Sequence, residues 1–213
     1  MLKQKHFIDS HKGLTPVFIL LLIFYFNAWN NVFATIYLAL HGTYGLLWIT
    51  KSKIYPDKQW EHKTTIWYGL LIWAGLSLYW ISPYIIVSNY HVFPIEIRQH
   101  SIYIAICIAL YTLGIFLHFT SDMQKYVSLK LNPGNLITTE MFEKSRNTNY
   151  LGELLIYLGF TLLAQDWLPV LCLFLFISVI WIPNMIKKDK SLSRYKEFSK
   201  YKKNSKRFFP YIF

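Results

Sequence analysis

Long apolar blocks are the feature that most constrains how this chain of 213 residues can fold. A helix that crosses a bilayer needs about 20 predominantly apolar residues. Six blocks reach or approach that length, at residues 13–29, 32–50, 65–88, 102–119, 150–165 and 167–185. A soluble helical protein would need polar faces to meet water, and these blocks have almost none. The pattern predicts an all-α, polytopic membrane bundle with six transmembrane helices, or seven if Pro83 divides the third block.

Basic residues are distributed unevenly between the two sides of such a bundle. All but Arg98 of the 22 Lys and Arg residues fall in four segments, at 1–14, 51–64, 121–149 and 186–213. With six spans, these four segments share one side of the membrane. Cytoplasmic segments of membrane proteins carry an excess of Lys and Arg, so we expect both termini to lie in the cytoplasm.

The net charge of +11 raises the question of a nucleic-acid partner. The basic residues lie next to predicted spans, beside the anionic leaflet, so membrane lipids are the expected partner and nucleic acid is not. In the tail, Tyr195, Phe198 and Tyr201 can share one helix face. That spacing is typical of an interfacial amphipathic helix, and it leaves contact with a cofactor open as a second role.

Several motifs of soluble enzymes are absent from the chain. It has no G-x-G-x-x-G and no G-x-x-x-x-G-K-[ST], which argues against a Rossmann or P-loop domain. The seven histidines show neither H-x-x-x-H nor H-E-x-x-H spacing, so no metal site is expected. Cys107 and Cys172 fall inside apolar blocks and are interpreted as small core residues.

Three acidic residues stand at or near the cytoplasmic ends of predicted spans. Asp122 ends the fourth block, Glu153 lies about one turn inside the fifth, and Asp189 follows the sixth. Ionisable groups at such positions are costly and often mark functional sites. Taken singly, each could instead be an interfacial cap or the partner of a nearby lysine.

Several short motifs in chain order carry a resemblance to a known family. They are HGTYGLLW at 41–48, YPD at 55–57, TEMF at 139–142, SRNTNYLGE at 145–153, KDKSLSRY at 188–195 and FFP at 208–210. Together they resemble the steroid 5-alpha-reductase C-terminal family, and more closely its bacterial branch known as DUF1295. That family is distantly similar to isoprenylcysteine carboxyl methyltransferases and to sterol reductases.

The resemblance implies a division of labour along the chain. Residues 1–120 would form the N-terminal transmembrane helices on the substrate side. Residues 121–213 would form the cofactor-binding half, with two transmembrane helices and the basic tail, and would hold NADPH in a pocket open to the cytoplasm. The bacterial branch implies a location in the bacterial inner membrane.

The resemblance also implies which residues bind the cofactor. Ser121-Asp122 matches a pair at the end of a span whose Asp contacts the cofactor, and Asn149 falls where the family places an Asn beside the nicotinamide half. Basic side chains can make charge-assisted contacts to phosphates, and an Asn can hydrogen-bond a carboxamide. The expected cofactor-binding residues are Asp122, Lys125, Arg146, Asn149, Tyr150, Glu153, Asp189, Lys190, Arg194 and Tyr195.

His41 and Tyr44 are the candidate catalytic residues, because they approximately match the substrate-polarising Glu and Tyr in the early spans of the family. They lie about one helical turn apart and share a face. Either could donate a proton or a hydrogen bond to a developing enolate oxygen. The plainer interpretation is a packed aromatic and a His bonded to a backbone carbonyl. The family's Tyr-Arg pair has no counterpart near Leu136, so a steroid substrate is not implied.

The resemblance implies an NADPH-dependent reductase of a carbon-carbon double bond conjugated to a carbonyl, acting on a lipid-soluble substrate. A second hypothesis is a methyltransferase that uses S-adenosylmethionine, since isoprenylcysteine methyltransferases share the C-terminal architecture. Those usually carry Arg-His-Pro where this chain has Arg146-Asn147-Thr148, and Glu-Glu where it has Asp189-Lys190. A third is a non-catalytic membrane protein that binds neither cofactor.

Reporter fusions test the predicted topology. Fusions after Trp29, His91 and Asp166 follow the first, third and fifth predicted spans, so all three are expected to report the side opposite the cytoplasm. A fusion after Lys58, beyond the second span, serves as the cytoplasmic control. A cytoplasmic signal after His91 would exclude the six-span arrangement.

Overall fold

A computed structural model describes residues 2–95 and 101–212 of the chain. Within these ranges the regular structure is helical and no strand is formed. The helices are α1 (Gln4–Tyr25), α2 (Val32–Ile54), α3 (Ile66–Ser77), α4 (Ile81–Ser88), α5 (Ser101–Leu131), α6 (Thr148–Leu163), α7 (Trp167–Phe176), α8 (Ile182–Leu192) and α9 (Phe198–Asn204). The predicted all-α, polytopic membrane bundle is confirmed.

Five stretches of helix are long and apolar enough to cross a membrane. They are Gln4–Tyr25, Val32–Ile54, Ile66–Ser88, Ser101–Leu131 and Trp167–Leu192. The predicted span at 150–165 corresponds to α6, whose 16 residues extend about 24 Å, less than the roughly 30 Å of the hydrocarbon core. The sixth span therefore stays a prediction.

The third apolar block forms one continuous stretch, so Pro83 does not create a seventh span. The irregularity is a short 3₁₀ turn at Leu78–Trp80 between α3 and α4. Pro83 is the third residue of α4, in the first turn, where a proline removes no intrahelical hydrogen bond.

Two helices extend further than the apolar blocks predicted. The fourth block was expected to end at 119, but α5 continues to Leu131, so Asp122 and Lys125 lie on a helix and not in a loop. The sixth block continues through a π-helical turn at Ile177–Trp181 into α8. Charged residues can extend a helix past the apolar span because a helix satisfies its own backbone in lipid and in water alike.

Unit 1 comprises Met1–Tyr111 and Leu158–Cys172. In it, α1 packs closely on α2, and a side chain at Gly45 would bring its Cβ within 2.5 Å of the backbone oxygen of Lys12. The turn before α7 is fastened by Asp166, whose carboxylate accepts backbone N–H groups of Val92 at 2.7 Å and Phe93 at 3.0 Å.

Unit 2 comprises Thr112–Tyr157 and Leu173–Phe213. Here α5 and α6 cross at glycines, since a Cβ at Gly114 would lie 2.6 Å from the backbone oxygen of Gly152. Small residues allow such close crossings between membrane helices. The two units have different boundaries from the functional halves expected at 1–120 and 121–213, and that functional division stays a proposal.

A pair of glycines on α2 tests the close packing in unit 1. We expect Gly45→Ala to lower the free energy of unfolding by about 1–3 kcal/mol, because the new methyl group overlaps the Lys12 carbonyl and the two backbones must separate. Gly42→Ala is the matched control, since its Cβ would lie 3.6 Å from Pro16, an ordinary contact. Unfolding in mixed detergent micelles measures both. Equal stability of the two variants would contradict the packing described.

Candidate functional site

An ion pair between Arg146 and Asp189 lies at the centre of unit 2. Arg146 is only 4% exposed. Its Nε and Nη2 donate to the two Asp189 carboxylate oxygens at 2.9 and 3.0 Å, and its Nη1 donates to the backbone oxygen of Ser205 at 2.7 Å. Bidentate pairing of this kind fixes the plane of the guanidinium as well as its position.

The C-terminal segment, residues 205–208, is fastened to the residues just before α6. Arg207 adds a second cation to Asp189, with Nε 3.1 Å from Oδ2. Asn147 donates from its side chain to the backbone oxygen of Arg207 at 2.8 Å, and the Ser145 hydroxyl donates to that of Phe208 at 2.7 Å. The bonds of Asn147 and Ser145 join residues about 60 positions apart in sequence.

A cavity of about 200 Å³ opens beside this ion pair within unit 2. Four of the side chains that line it are basic and none is acidic, while the rest of the wall is mainly apolar or aromatic. The lining residues are Lys125, Leu129, Asn135, Leu136, Ile137, Phe142, Arg146, Lys188, Leu192, Arg194, Tyr195 and Tyr201. Basic groups on a partly apolar wall suit an anionic group, since the contacts are charge-assisted and screened less than on an open surface.

Four of the ten predicted cofactor-binding residues line this cavity: Lys125, Arg146, Arg194 and Tyr195. The Arg194 guanidinium lies over the Tyr195 ring at 4.9 Å and donates to its hydroxyl at 3.1 Å. Arg146 contributes charge, but its donors already bind Asp189 and Ser205. Asp189 is thus placed as the group that holds Arg146.

The other predicted residues lie elsewhere in unit 2. Asp122 is buried, with Oδ2 3.7 Å from Nε2 of His118. Tyr150 packs its ring 5.5 Å from that of Trp181. Glu153 is half-buried on α6, and Lys190 is exposed on α8.

Asn149 and Asp122 both lie close to His118. Its backbone oxygen lies 3.1 Å from Nδ1 of His118. Its side-chain oxygen is buried and, among residues 2–95 and 101–212, accepts no hydrogen bond. A buried amide oxygen of this kind fits a ligand that carries N–H donors, because leaving such an atom unsatisfied costs free energy.

Lys188 and Tyr201 belong to the cavity; Lys188 was not predicted from the sequence as a site residue, and Tyr201 was considered for cofactor contact only as part of the aromatic face of the tail. Lys188 donates from Nζ to the backbone oxygen of Arg146 at 2.6 Å and lies 5.4 Å over the Phe142 ring. The Tyr201 hydroxyl donates to the backbone oxygen of Phe142 at 2.6 Å. Burial raises the pKa of Tyr201 to about 12, so this hydroxyl stays a donor at neutral pH. The only sequence signal for Lys188 was its place in the KDKSLSRY run.

The two predicted catalytic residues lie in unit 1, inside a buried polar cluster. Tyr44 is fully buried, and its hydroxyl is 3.3 Å from Nζ of Lys12. His41 stacks on Phe160 with ring centroids 4.5 Å apart, and its Nδ1 lies 3.2 Å from the hydroxyl of Tyr37. His41 thus bonds to a side-chain hydroxyl and not to the backbone carbonyl of the plainer interpretation.

The long apolar helices define a polytopic membrane protein, and its interior contains a basic cavity in unit 2 and a buried polar cluster in unit 1. Residues 67–213 match the family described as 3-oxo-5-alpha-steroid 4-dehydrogenase. The match covers more than half of the chain, and the chain belongs to this steroid 5-alpha-reductase-like family, whose activity is oxidoreduction at CH–CH groups. No curated protein and no solved structure matches the chain.

The matched region includes all ten predicted cofactor-binding residues, whereas His41 and Tyr44 precede it. The residues of unit 2 fit a cofactor that carries phosphates and a carboxamide, because they offer a basic cavity and an unsatisfied buried amide oxygen. The volume of about 200 Å³ lies below the roughly 300 Å³ at which pockets for whole drug-sized ligands begin. This cavity therefore suits one part of a dinucleotide.

Removal of the Asp189 charge tests the ion pair. We expect Asp189→Asn to lower the free energy of unfolding by about 3–5 kcal/mol, because Arg146 would stay buried without its counter-charge. The control is Glu197→Gln, an exposed acid in the same C-terminal part of the chain, which should change stability by less than about 0.5 kcal/mol. Unfolding in detergent measures both, and an unchanged Asp189→Asn protein would contradict a structural role for the pair.

Proposed function

We propose that this protein is an NADPH-dependent reductase of a carbon-carbon double bond conjugated to a carbonyl, in a lipid-soluble substrate. The observation that carries the proposal is the basic cavity of unit 2, which lies in the part of the chain that matches the family. Membership of the family supports the reaction class, and the long apolar helices support a substrate that reaches the protein from the membrane.

Different residues of unit 2 are proposed to bind different parts of NADPH. Lys125, Lys188 and Arg194 bind phosphate oxygens, because their basic side chains line one cavity. Arg146 adds charge there while Asp189 holds it in place. Asn149 accepts a hydrogen bond from the carboxamide through its buried side-chain oxygen.

Asp122 and Glu153 belong to the predicted cofactor-binding residues but do not line the basic cavity. Asp122 Oδ2 lies 3.7 Å from Nε2 of His118, which in turn contacts the backbone of Asn149. We expect Asp122 to orient the start of α6 as well as to contact the cofactor. The same proposal leaves Lys190, which is exposed on α8, as a peripheral contact to phosphate.

The chemistry asked of the protein is modest, because the bound cofactor supplies the hydride for the β carbon of the enone. Negative charge then develops on the carbonyl oxygen, and a donor at that oxygen lowers the barrier. Tyr44 is the better candidate for this donor. His41 already meets the Tyr37 hydroxyl and is stacked on Phe160, whereas the Tyr44 hydroxyl faces a cation.

The proposed setting is the bacterial inner membrane, with both termini in the cytoplasm. The exposed lysines of the tail, such as Lys200, Lys202 and Lys203 on α9, support that orientation because they suit an anionic leaflet. Phe198 and Tyr201 on the same helix are buried against the protein. The face of α9 expected to lie on the membrane is therefore basic. Phe198 and Tyr201, two of the three aromatic residues predicted for an interfacial helix, pack inside the protein.

Calorimetric titration of the detergent-purified protein tests cofactor choice. We expect binding of NADPH that weakens as salt is raised, and no comparable binding of S-adenosylmethionine. Lys188→Met and Asn149→Ala should each weaken NADPH binding by about 1–3 kcal/mol, roughly 5- to 150-fold, because the first removes a half-buried cation and the second a buried hydrogen-bond acceptor.

The matched control is Lys187→Met, which removes the neighbouring exposed lysine and should leave affinity within about twofold. Binding of S-adenosylmethionine in place of NADPH would turn the proposal into the methyltransferase hypothesis. Binding of neither cofactor would favour the non-catalytic one. Unchanged NADPH affinity in both folded variants would remove Lys188 and Asn149 from the site.

A further inference from the structure

Lys12 is a buried cation within a membrane-spanning helix. It lies on α1, in a stretch long and apolar enough to cross the bilayer, and is only 2% exposed. A lysine inside a span is costly, so it is retained where it serves a function or where surrounding groups stabilise it. Lys12 precedes the part of the chain that matches the family, so the match assigns it no role.

The ammonium group of Lys12 meets a set of aromatic side chains in unit 1. Its Nζ lies 4.3 Å from the ring centroid of Tyr44, 5.2 Å from that of Trp48 and 6.0 Å from that of Tyr79. Cation–π contacts of desolvated groups are favourable, and they compensate in part for burial of the charge. They explain how a lysine is tolerated here.

One contact of Lys12 does more than stabilise its charge. Its Nζ lies 3.3 Å from the hydroxyl oxygen of Tyr44. An ammonium group has only donors. Lys12 therefore donates and the Tyr44 oxygen accepts, which directs the hydrogen of the phenol away from Lys12. A tyrosine held in this way is oriented as a donor, and the ammonium group stands beside the oxygen on which negative charge would develop if the phenol gave up its proton.

The position of Lys12 is fixed by its backbone. The Lys12 carbonyl lies so close to Gly45 that a Cβ there would approach it to 2.5 Å. Gly45 follows Tyr44 directly in the sequence. The close crossing of α1 and α2 at Gly45 therefore also sets the position of Lys12 along α2 relative to the Tyr44 ring. His11, the neighbour of Lys12, is wedged against Trp80 with ring centroids 5.0 Å apart, which further limits sliding of α1.

We propose that Lys12 is a positioning residue for Tyr44, which it orients and whose phenolate it stabilises when Tyr44 gives up its proton. The inference rests on the proposed reductase function. Bound NADPH would supply the hydride, with its two electrons, for the new C–H bond at the β carbon. The O–H bond of Tyr44 breaks as its proton joins the carbonyl oxygen, which gives an enol. The enol then loses its O–H proton to solvent and gains a proton at the α carbon to become the saturated ketone, and solvent returns a proton to the phenolate.

A double-mutant cycle on turnover tests this role. The probes are a steroid 4-en-3-one and an acyclic isoprenoid enone, with reduction followed by the loss of NADPH absorbance. We expect Tyr44→Phe to lower kcat about 100-fold and Lys12→Met about 10- to 100-fold, the scale for losing a positioned acid or its support. KM and NADPH affinity should stay within about twofold.

Non-additivity is the decisive result. If Lys12 acts through Tyr44, the double variant Lys12→Met, Tyr44→Phe is no slower than Tyr44→Phe alone. Lys51→Met is the matched control, since Lys51 is also buried and lies 4.8 Å over Trp48 but is paired with Asp57. Its kcat should stay near that of the wild type. Multiplied losses in the double variant, or an equal loss of kcat in Lys51→Met, would overturn the proposal.

A readout without turnover separates this inference from the proposed function. With 3-fluorotyrosine at position 44, the fluorine NMR resonance should move in Lys12→Met and stay in place in Lys51→Met. An unmoved resonance in Lys12→Met would overturn the Lys12–Tyr44 contact itself. A wild-type protein that reduces neither enone, yet shows the shift, would overturn the reductase function and with it the role of Lys12 in catalysis, while the contact would stand.

Discussion

The buried pair of Arg146 and Asp189 is the interaction on which unit 2 depends. It joins the loop before α6 to the end of α8, and Ser205 and Arg207 attach the C-terminal segment to the same two side chains. The basic cavity lies beside it, so the pair also holds one wall of the candidate cofactor site. Two cations on one carboxylate leave the cluster with excess positive charge, which suits an anionic ligand.

Unit 1 also contains a buried cation, and aromatic rings surround it. Lys12 is surrounded by Tyr44, Trp48 and Tyr79, and His11 and His41 are each stacked on an aromatic ring. Rings stabilise a cation without adding an opposite charge that would quench it. The Lys12 ammonium lies beside the Tyr44 hydroxyl, whereas the Arg146 guanidinium is paired with Asp189.

The sequence was sufficient for the fold class because long apolar blocks leave few alternatives to membrane helices. It was insufficient where helices continue past the apolar residues, as α5 does to Leu131, since hydropathy falls there while the helix does not end. The family motifs and the chemistry of basic side chains predicted Lys125, Arg146 and Arg194 as cofactor contacts; all three line the cavity, and their binding of a cofactor stays a prediction. The sequence could not single out Lys188 from Lys187 and Lys190, because only helix phase and the fold decide which lysine faces the cavity.

The pairing of Arg146 with Asp189 was equally out of reach, since the two residues are separated by 43 positions and each has closer charged neighbours in sequence. The interpretation of Asp189 as a cofactor contact followed from the motif alone. In the structure, Asp189 pairs with Arg146 in a bidentate geometry. Contact of Asp189 with a cofactor stays a prediction.

The short helix α6 has a consequence for how the protein reaches its membrane. Its 16 residues include many buried ones, among them Gly152, Ile156, Tyr157 and Phe160. A segment of this length partitions weakly into lipid by itself. Its insertion is therefore expected to depend on helices already in place, with α6 and α7 entering as a hairpin after the N-terminal helices have been released from the translocation machinery. Biogenesis would then be cooperative, and a defect in early helix packing would surface as failure to integrate the C-terminal half.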